Sequence, residues 1–440
     1  MSSRARVSPP PPDLRRAYER NLRVYYVFKL LSEMWLLIPI FVAFLLLDRG
    51  LSVGQVALIE SPFWLMATLA EVPTGAVADR WGRRVSLLLG AVTTTVAMFA
   101  FGLADTIPLI LGSYMLWATA LTFTSGADAA LLYDTLRQLG RERDFERFAG
   151  RGAALSAAGV LAATLAGGPV AGVVGMQATI FLSAGTMALL AIATALFREP
   201  PHHETGAAPA SYLRGIREAA RTIRERPAVL ALMPLGGVLT TCPMVMVILI
   251  QPFLLSHDVP IGWEFSLLQV PMWLGSVLGG LLAFRLLRLG GTPGALAIVA
   301  LLATIGFAGA AAWDHIGALA FIALIPLARS VSGPLTIGYI NHRVPSDQRA
   351  TVLSLNLMVY SVALVPIMPV LGLVADRLDL PATFAVAAAL VGGLSLISGL
   401  LWLRVHRAHP LADEPLGLPR MAEHALGAPL ASGLEGDPEA

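Results

Sequence analysis

The 440-residue sequence is poor in charge, in cysteine and in lysine. Charged residues make up 14% of it, whereas a soluble domain carries roughly 25%. The only cysteine, Cys242, lies in an apolar run, which excludes an intramolecular disulfide framework and a thiolate metal cluster. We expect Cys242 to be a small buried apolar side chain. The low net charge of +2, with arginines grouped in short segments, argues against nucleic-acid binding.

Motifs of membrane-embedded enzymes are also missing. The sequence contains no His-Glu-x-x-His, no Gly-x-Ser-x-Gly and no paired Asp-rich metal motif. Most of its eight histidines fall outside the long apolar stretches. The sequence therefore predicts a protein that is not an enzyme and that uses no metal and no cofactor.

Long apolar stretches account for most of the chain, with 56% hydrophobic residues and a mean hydropathy of +0.70. A membrane-spanning helix needs about 20 mainly apolar residues. The first such stretch, 25–47, is too long for a signal-peptide core. Twelve segments qualify as spans: 25–47, 55–79, 85–104, 107–133, 152–172, 177–197, 228–254, 264–287, 294–313, 316–340, 350–374 and 382–403.

The basic residues predict how these spans are oriented. Only Arg49 and Arg377 fall on one side, Lys29 and Arg329 lie within spans, and the other 27 of the 31 basic residues lie on the side of the N-terminus. Because Lys and Arg accumulate in cytoplasmic loops, we expect a cell-membrane protein with both termini in the cytoplasm.

The order of spans and loops predicts five regions. These are a cytoplasmic N-terminal tail (1–24), a first six-helix bundle (25–197), a cytoplasmic loop (198–227), a second six-helix bundle (228–403) and a cytoplasmic C-terminal tail (404–440). Four arginines at helical spacing in the loop predict an amphipathic helix that lies on the anionic leaflet. They are Arg214, Arg217, Arg221 and Arg224.

A charged motif follows the second span. It reads Gly75-Ala-Val-Ala-Asp79-Arg80-Trp-Gly82-Arg83-Arg84, and a weaker counterpart from Gly280 to Arg288 follows the eighth span. The motif resembles the loop 2–3 signature of the major facilitator superfamily, Gly-x-x-x-Asp-Arg-x-Gly-Arg-Arg. The resemblance implies an all-α membrane protein with twelve transmembrane helices in two pseudo-symmetric six-helix bundles around a central cavity.

The same resemblance implies that this motif is a conformational latch. It would join the cytoplasmic ends of the two halves in the outward-facing state, with Gly75 allowing close helix contact and Arg83 pairing with Asp134. The alternative is an arginine cluster that only fixes topology. The proposed latch comprises Gly75, Asp79, Arg80, Gly82, Arg83, Arg84 and Asp134.

A glycine-rich pattern in the fifth span is similar to a motif of antiporters in the same superfamily, including drug:proton exporters. It consists of Gly159, Gly168, Pro169 and Gly172. Glycines can also serve packing alone, which is the alternative interpretation. In the fourth span, Thr122 stands before Ser125-Gly126 where proton-coupled exporters usually carry an arginine, so the sequence departs from that scheme.

Charged residues within the spans are functional candidates, because each costs about 2.5–3.5 kcal/mol or more in the membrane. Glu33, Glu71 and Asp128 are candidates for proton coupling, since a carboxyl between apolar surroundings and a nearby cation can load and release a proton. Arg329 and Lys29 are candidates for substrate binding or counter-charge. The alternatives are a static ion-pair network and, for Lys29, snorkelling to the cytoplasm.

Aromatic residues can line an apolar binding site or face lipid. The candidates are Tyr26, Trp35, Trp64, Trp117 and Trp273. Taken together, the sequence favours a secondary active transporter that works by alternating access, acts as a monomer and exports a small organic compound in exchange for protons. The main alternative is a proton symporter that imports a polar or anionic nutrient.

Overall fold

The computed structural model describes residues 11–201, 209–345 and 348–409, and regular structure in these ranges is entirely helical. Most of the predicted tails lies outside the described residues. The first helix, Pro12–Leu31, nevertheless begins inside the predicted N-terminal tail. Its start has Pro at the first helical position, where proline removes no intrahelical hydrogen bond.

Eleven helices in the described residues are long and apolar enough to cross a membrane. We number them as spans 2–12, because a discontinuous span 1 precedes them. Their bounds are Val53–Trp81, Arg83–Leu103, Ile107–Gln138, Glu142–Val174, Met176–Ala195, Pro227–Ser256, Trp263–Arg288, Gly290–Ala312, Ile316–Arg343, Thr351–Arg377 and Leu380–Ala408. The predicted fold class is confirmed. Spans 8 and 9 follow each other without a loop, separated by a bend at Gly291, whose φ is +61°.

Span 1 is not the continuous helix predicted for 25–47. It consists of Pro12–Leu31 and the apolar stretch Ile38–Leu47, with irregular backbone between them. Side chains from other spans satisfy the backbone groups at this break. Ser183 Oγ accepts from the Leu37 amide at 3.0 Å, and Gln251 and Gln269 donate to the carbonyls of Ile38 and Pro39 at 2.9 and 3.0 Å. Irregular backbone persists at membrane depth only where protein satisfies it in this way.

Span 4 is also broken, at Gly126, which has a left-handed φ of +70°. Its first part, Ile107–Thr122, ends before the break, and its second part, Ala127–Gln138, starts directly after it. Asp128 lies in the first turn of the second part, where the helix dipole favours a negative charge. Two spans of the first bundle therefore interrupt their helices.

The helix between spans 6 and 7, Pro209–Glu225, lies where the sequence predicts an amphipathic helix, but it is placed differently. Its buried residues Ala219 and Ile223 pack into a cluster with Val229 and Val352 of spans 7 and 11. Arg217, with Arg221 and Arg224, is exposed. The apolar face thus packs on the protein, whereas the prediction placed it on the leaflet.

The two bundles meet at the end of the molecule opposite to Arg83 and Arg84. We call this the far end and the arginine-bearing end the basic end. Ser52 Oγ of the loop before span 2 donates to Asp376 Oδ2 of span 11 at 2.6 Å, and the Gly54 amide donates to Oδ1 at 2.8 Å. A Cβ on Gly372 would lie 2.8 Å from the Gly54 Cα. The far end is therefore closed by direct contact between the bundles.

Candidate functional site

A cavity of about 370 Å³ lies between spans 1, 3, 4, 5, 6 and 8. Its lining combines three charged side chains with three tryptophans and several hydroxyls. The charged residues are Lys29, Glu33 and Asp128; the tryptophans are Trp35, Trp117 and Trp273; the hydroxyls come from Ser32, Thr94, Thr124 and Thr164. Such a mixture of an apolar wall and a few polar groups is typical of small-molecule sites.

The breaks of spans 1 and 4 bring the charged side chains together. Lys29 Nζ donates to Asp128 Oδ2 at 3.1 Å, and both side chains are about one-fifth exposed (19% and 22%). Glu33, at the span 1 break, lines the same cavity, one helical turn from Lys29 along the chain. The Lys29 ammonium thus pairs within the cavity, where the sequence had left snorkelling open. Protonation of a carboxylate or arrival of a charged ligand would change this pairing.

Three of the five predicted aromatic residues line the cavity. The rings of Trp35 and Trp117 lie 5.2 Å apart, and Trp273 contributes from the second bundle. Tyr26 instead stacks on Phe148 with centroids 5.8 Å apart. Trp64 packs on Tyr360, as described below. The cavity therefore offers flat apolar surface beside its charged groups.

Glu71 and Arg329 do not join this cluster. The Glu71 carboxylate accepts a hydrogen bond from Ser125 Oγ at 2.7 Å. Arg329 packs its guanidinium against Gly333 in span 10. Among the described residues, no carboxylate forms an ion pair with Arg329 within 4.0 Å. The helix breaks bring Lys29, Glu33 and Asp128 to the cavity, whereas Glu71 and Arg329 lie outside its lining.

The loop 2–3 motif is held by a residue that the sequence analysis missed. Both carboxylate oxygens of Glu199 accept backbone hydrogen bonds, from Arg83 N at 2.8 Å and from Arg84 N at 2.7 Å. These amides open the span 3 helix, so the carboxylate sits at the positive end of its dipole. Gly82 has a φ of +96°, and a Cβ there would approach Glu199 Oε1 to 2.8 Å. Gly82 is therefore required for two reasons: this positive φ would strain a residue with a side chain, and a Cβ would collide with the Glu199 carboxylate.

The side chains of Arg83 and Arg84 form their hydrogen bonds within the first bundle, to Asp79 and to the Ala195 carbonyl. Arg83 pairs with Asp79 at 3.1 Å, one turn away on the preceding span, instead of the predicted Asp134. A Cβ on Gly75 would meet nothing within 4 Å, so the expected close helix contact is not made in this conformation. Both observations fit a molecule whose bundles meet at the other end.

The span 5 glycines are sites of close approach. A Cβ on Gly159 would lie 2.5 Å from the Leu30 carbonyl oxygen of span 1, and a Cβ on Gly172 would lie 2.6 Å from the Ile261 carbonyl oxygen. A Cβ on Gly168 would overlap the Gly262 carbonyl oxygen, and its amide donates to Ser266 Oγ at 2.9 Å. Around Pro169, these glycines therefore pack span 5 on span 1 and on the second bundle.

Glu60 is the second residue that the sequence analysis missed. Its side chain is fully buried in span 2. Tyr114 of span 4 donates its hydroxyl to Glu60 Oε1, and Trp64 Nε1 donates to Oε2 at 3.1 Å. Glu33 and Glu71 were identified because an ionisable side chain inside an apolar segment is a functional candidate. The same criterion applies to Glu60 and would have identified it.

Two helix bundles that close at one end around a charged cavity define a membrane transporter. Residues 30–365 match the Major Facilitator Superfamily, and the chain belongs to this family. A search of curated proteins gave no match. Family and fold identify a secondary transporter that works by alternating access, not an enzyme.

Several solved transporters share this fold. The nucleoside transporter NupG aligns with a TM-score of 0.73 at 14% identity, covering 89% of this chain and 99% of NupG. A bacterial homologue of the human lysosomal transporter Spinster, inward-facing and unoccupied, aligns with a TM-score of 0.69 at 16% identity, covering 90% and 98%. A POT family transporter in complex with a thioalcohol-conjugated peptide gives 0.67 at 14%, covering 88% and 96%. At these identities the likeness concerns the fold alone.

Proposed function

We propose that this protein exports a small organic compound in exchange for protons, and that Glu33, with the Lys29–Asp128 pair, forms the site where the two compete. The observation that carries the proposal is the position of these three charges inside the cavity, at the breaks of spans 1 and 4. Broken helices near mid-depth are where secondary transporters bind substrate and coupling ions.

The lining favours an amphipathic substrate. The paired rings of Trp35 and Trp117 and the Trp273 side chain supply an apolar surface, while the carboxylates accept from a polar or cationic group. A proton bound to Glu33 or Asp128 removes that acceptor charge. Substrate and proton then exclude each other from one site, which is the requirement for exchange.

The arrangement of the ends supports loading from the cytoplasm. With the basic end in the cytoplasm, as the arginine distribution predicts, the closed far end makes this conformation inward-facing. We propose that the protein lies in the cell membrane with both termini cytoplasmic and works as a monomer. The span 5 glycines pack against the second bundle, a contact that the antiporter and the packing interpretations of that motif share.

The test is transport in proteoliposomes with an imposed pH gradient, using compounds selected by comparing a deletion strain with an overexpressing strain. We expect Glu33→Gln, which keeps shape and removes titration, to abolish accumulation driven by the pH gradient while downhill exchange continues. Glu71→Gln is the matched control, because its carboxylate accepts from Ser125 outside the cavity lining. Combining Glu33→Gln with Asp128→Asn covers the case in which either carboxylate of the cavity suffices.

Accumulation that still responds to pH in this double variant would contradict proton coupling through the cavity carboxylates and would favour sodium coupling. Wild-type flux in the same direction as the proton would contradict exchange. That result would support the alternative, import of a polar or anionic nutrient by symport.

A further inference from the structure

Glu60 lies outside the cavity and presents an unusual electrostatic problem. Its side chain is fully buried, and both of its hydrogen-bond partners, Tyr114 and Trp64, are uncharged. No cation of the described residues forms an ion pair with it within 4.0 Å. The two donated hydrogen bonds offset only part of the several kcal/mol that a buried carboxylate charge costs, so the closed site favours the neutral acid.

The position of Glu60 links it to the contact between the bundles. Trp64, which donates to Glu60, packs its ring edge-on against Tyr360 of span 11, with centroids 5.2 Å apart. Ser61, the next residue, donates to the Val365 carbonyl of span 11 at 2.9 Å. The carboxyl is therefore sealed by the same span 2–span 11 contact that closes the far end.

Few other ionisable groups face this site. Tyr114 approaches from span 4 and Tyr360 from span 11, and Arg329 of span 10 interacts electrostatically with Tyr360. Asp376 of span 11 lies at the far end beside Ser52. Cys242 of span 7 is fully buried near Arg329. The nearest groups are thus tyrosines, whose hydroxyls stay neutral around pH 7.

We propose that Glu60 is a proton-binding site of the transport cycle, loaded from the far side, and that closing the far end takes up one proton there. Alternating access separates span 2 from span 11 at the far end. This separation removes the Trp64–Tyr360 and Ser61–Val365 contacts and admits water to Glu60. Hydration then stabilises the ionised carboxylate. Reclosure needs the neutral acid. Proton binding at Glu60 depends on neither the substrate nor the direction of transport.

The test measures the far-end opening as a function of pH. Spin labels at Leu58 and Leu373, exposed positions of spans 2 and 11, report the distance between the two spans in lipid nanodiscs from about pH 5 to about pH 9. Because the closed state holds one more proton, raising the pH favours the open state, by up to about tenfold in the open-to-closed ratio per pH unit. Glu60→Gln, always neutral, should remain closed at every pH.

Glu71→Gln is the control, because this carboxylate of the same span accepts from Ser125 outside the cavity lining, and we expect the variant to retain the pH response of the far end. If Glu60→Gln fails to fold, Trp64→Phe tests the same point, because it keeps the ring against Tyr360, removes one donor to the carboxyl and should move the midpoint pH. A wild-type distance that ignores pH would overturn the proposal. So would a Glu60→Gln or Trp64→Phe variant with the wild-type pH response.

Discussion

At the scale of residues, the Lys29–Asp128 pair shows why charge is tolerated in this cavity. Each group alone would carry an unsolvated charge into a span, whereas together they exchange a hydrogen bond at 3.1 Å with most of their surface covered. Hydrogen bonds to charged groups contribute about 1.5–3 kcal/mol. Removing one partner leaves the other charge without compensation, and that cost exceeds the value of the pair.

The first prediction concerns this pair. We expect Lys29→Met to destabilise the protein by about 3–5 kcal/mol, measured as a lower midpoint of thermal unfolding in detergent, and Lys29→Met combined with Asp128→Leu to recover part of the loss. Lys29→Arg should keep the pair. Arg15→Met, which removes an exposed pair with Glu19, is the control. Additive losses in the double variant would show that the two side chains do not interact.

The sequence identifies the charged residues of the cavity one by one, but it does not show that they lie together. Lys29, Glu33 and Asp128 are recognisable in the sequence because each interrupts an apolar segment. Their meeting depends on the left-handed Gly126 and on the break of span 1. The role of Glu199 could not be predicted, because carboxylates are common in loops. Only the fold shows that this one accepts hydrogen bonds from the first amides of span 3.

At the scale of elements, the break in span 1 has no signature in hydropathy. Lys29, Ser32 and Glu33 stand beside it, but a hydropathy window of about 20 residues averages them with their apolar neighbours and therefore misses the break. The break is made possible by Ser183, Gln251 and Gln269, which lie in three other spans. Only the assembled bundle supplies these partners, and so the sequence of span 1 alone predicted a continuous helix.

The second prediction concerns span 5. We expect Gly168→Ala to hinder closure of the far end, because its methyl group would overlap a backbone oxygen of Gly262. The measurement is the rate at which a membrane-impermeant thiol reagent, added from the far side, labels a cysteine placed at Ala57, which is buried in the span 2–span 11 contact. Labelling should accelerate severalfold.

Gly185→Ala in span 6 is the matched control, since a Cβ there meets nothing within 4 Å. It should leave the labelling rate unchanged. Equal rates in the Gly168→Ala variant and its parent would mean that span 5 tolerates the methyl group and that this contact does not govern closure.

The third prediction concerns the motif between spans 2 and 3. Asp79 lies at the basic end, 46% exposed and paired with Arg83, away from the cavity. We therefore expect Asp79→Asn to slow transport and to leave equilibrium substrate binding within about tenfold, or 1.4 kcal/mol. Asp105→Asn, an exposed acid in the loop before span 4, is the control. Lost binding with normal turnover would place Asp79 in substrate contact instead.

At the scale of the whole molecule, the two ends differ in the residues that form them. The far end is closed by small residues and backbone, such as Gly54 against Gly372, while the basic end carries most of the charge. The helix count and the fold class followed from the sequence, because apolar length is a local property. Which end is closed did not follow, since both conformations use the same spans.

The fourth prediction is the topology. Because positively charged loops stay in the cytoplasm, reporters fused after residues 210 and 440 should both be active only as cytoplasmic reporters. A fusion after residue 105, in the loop between spans 3 and 4, is the matched control and should report the opposite side. A periplasmic signal at either of the first two positions would overturn the proposed orientation.

The burial of Cys242 has a practical consequence for spectroscopy. Its sulfur has no exposed surface and donates to the Val238 carbonyl at 3.2 Å within span 7. Thiol-reactive dyes and nitroxides should therefore leave the native chain almost unlabelled, so that introduced cysteine pairs can be attached to probes without first removing a native one. Single-molecule fluorescence can then follow the cycle in a protein whose own sequence is otherwise intact.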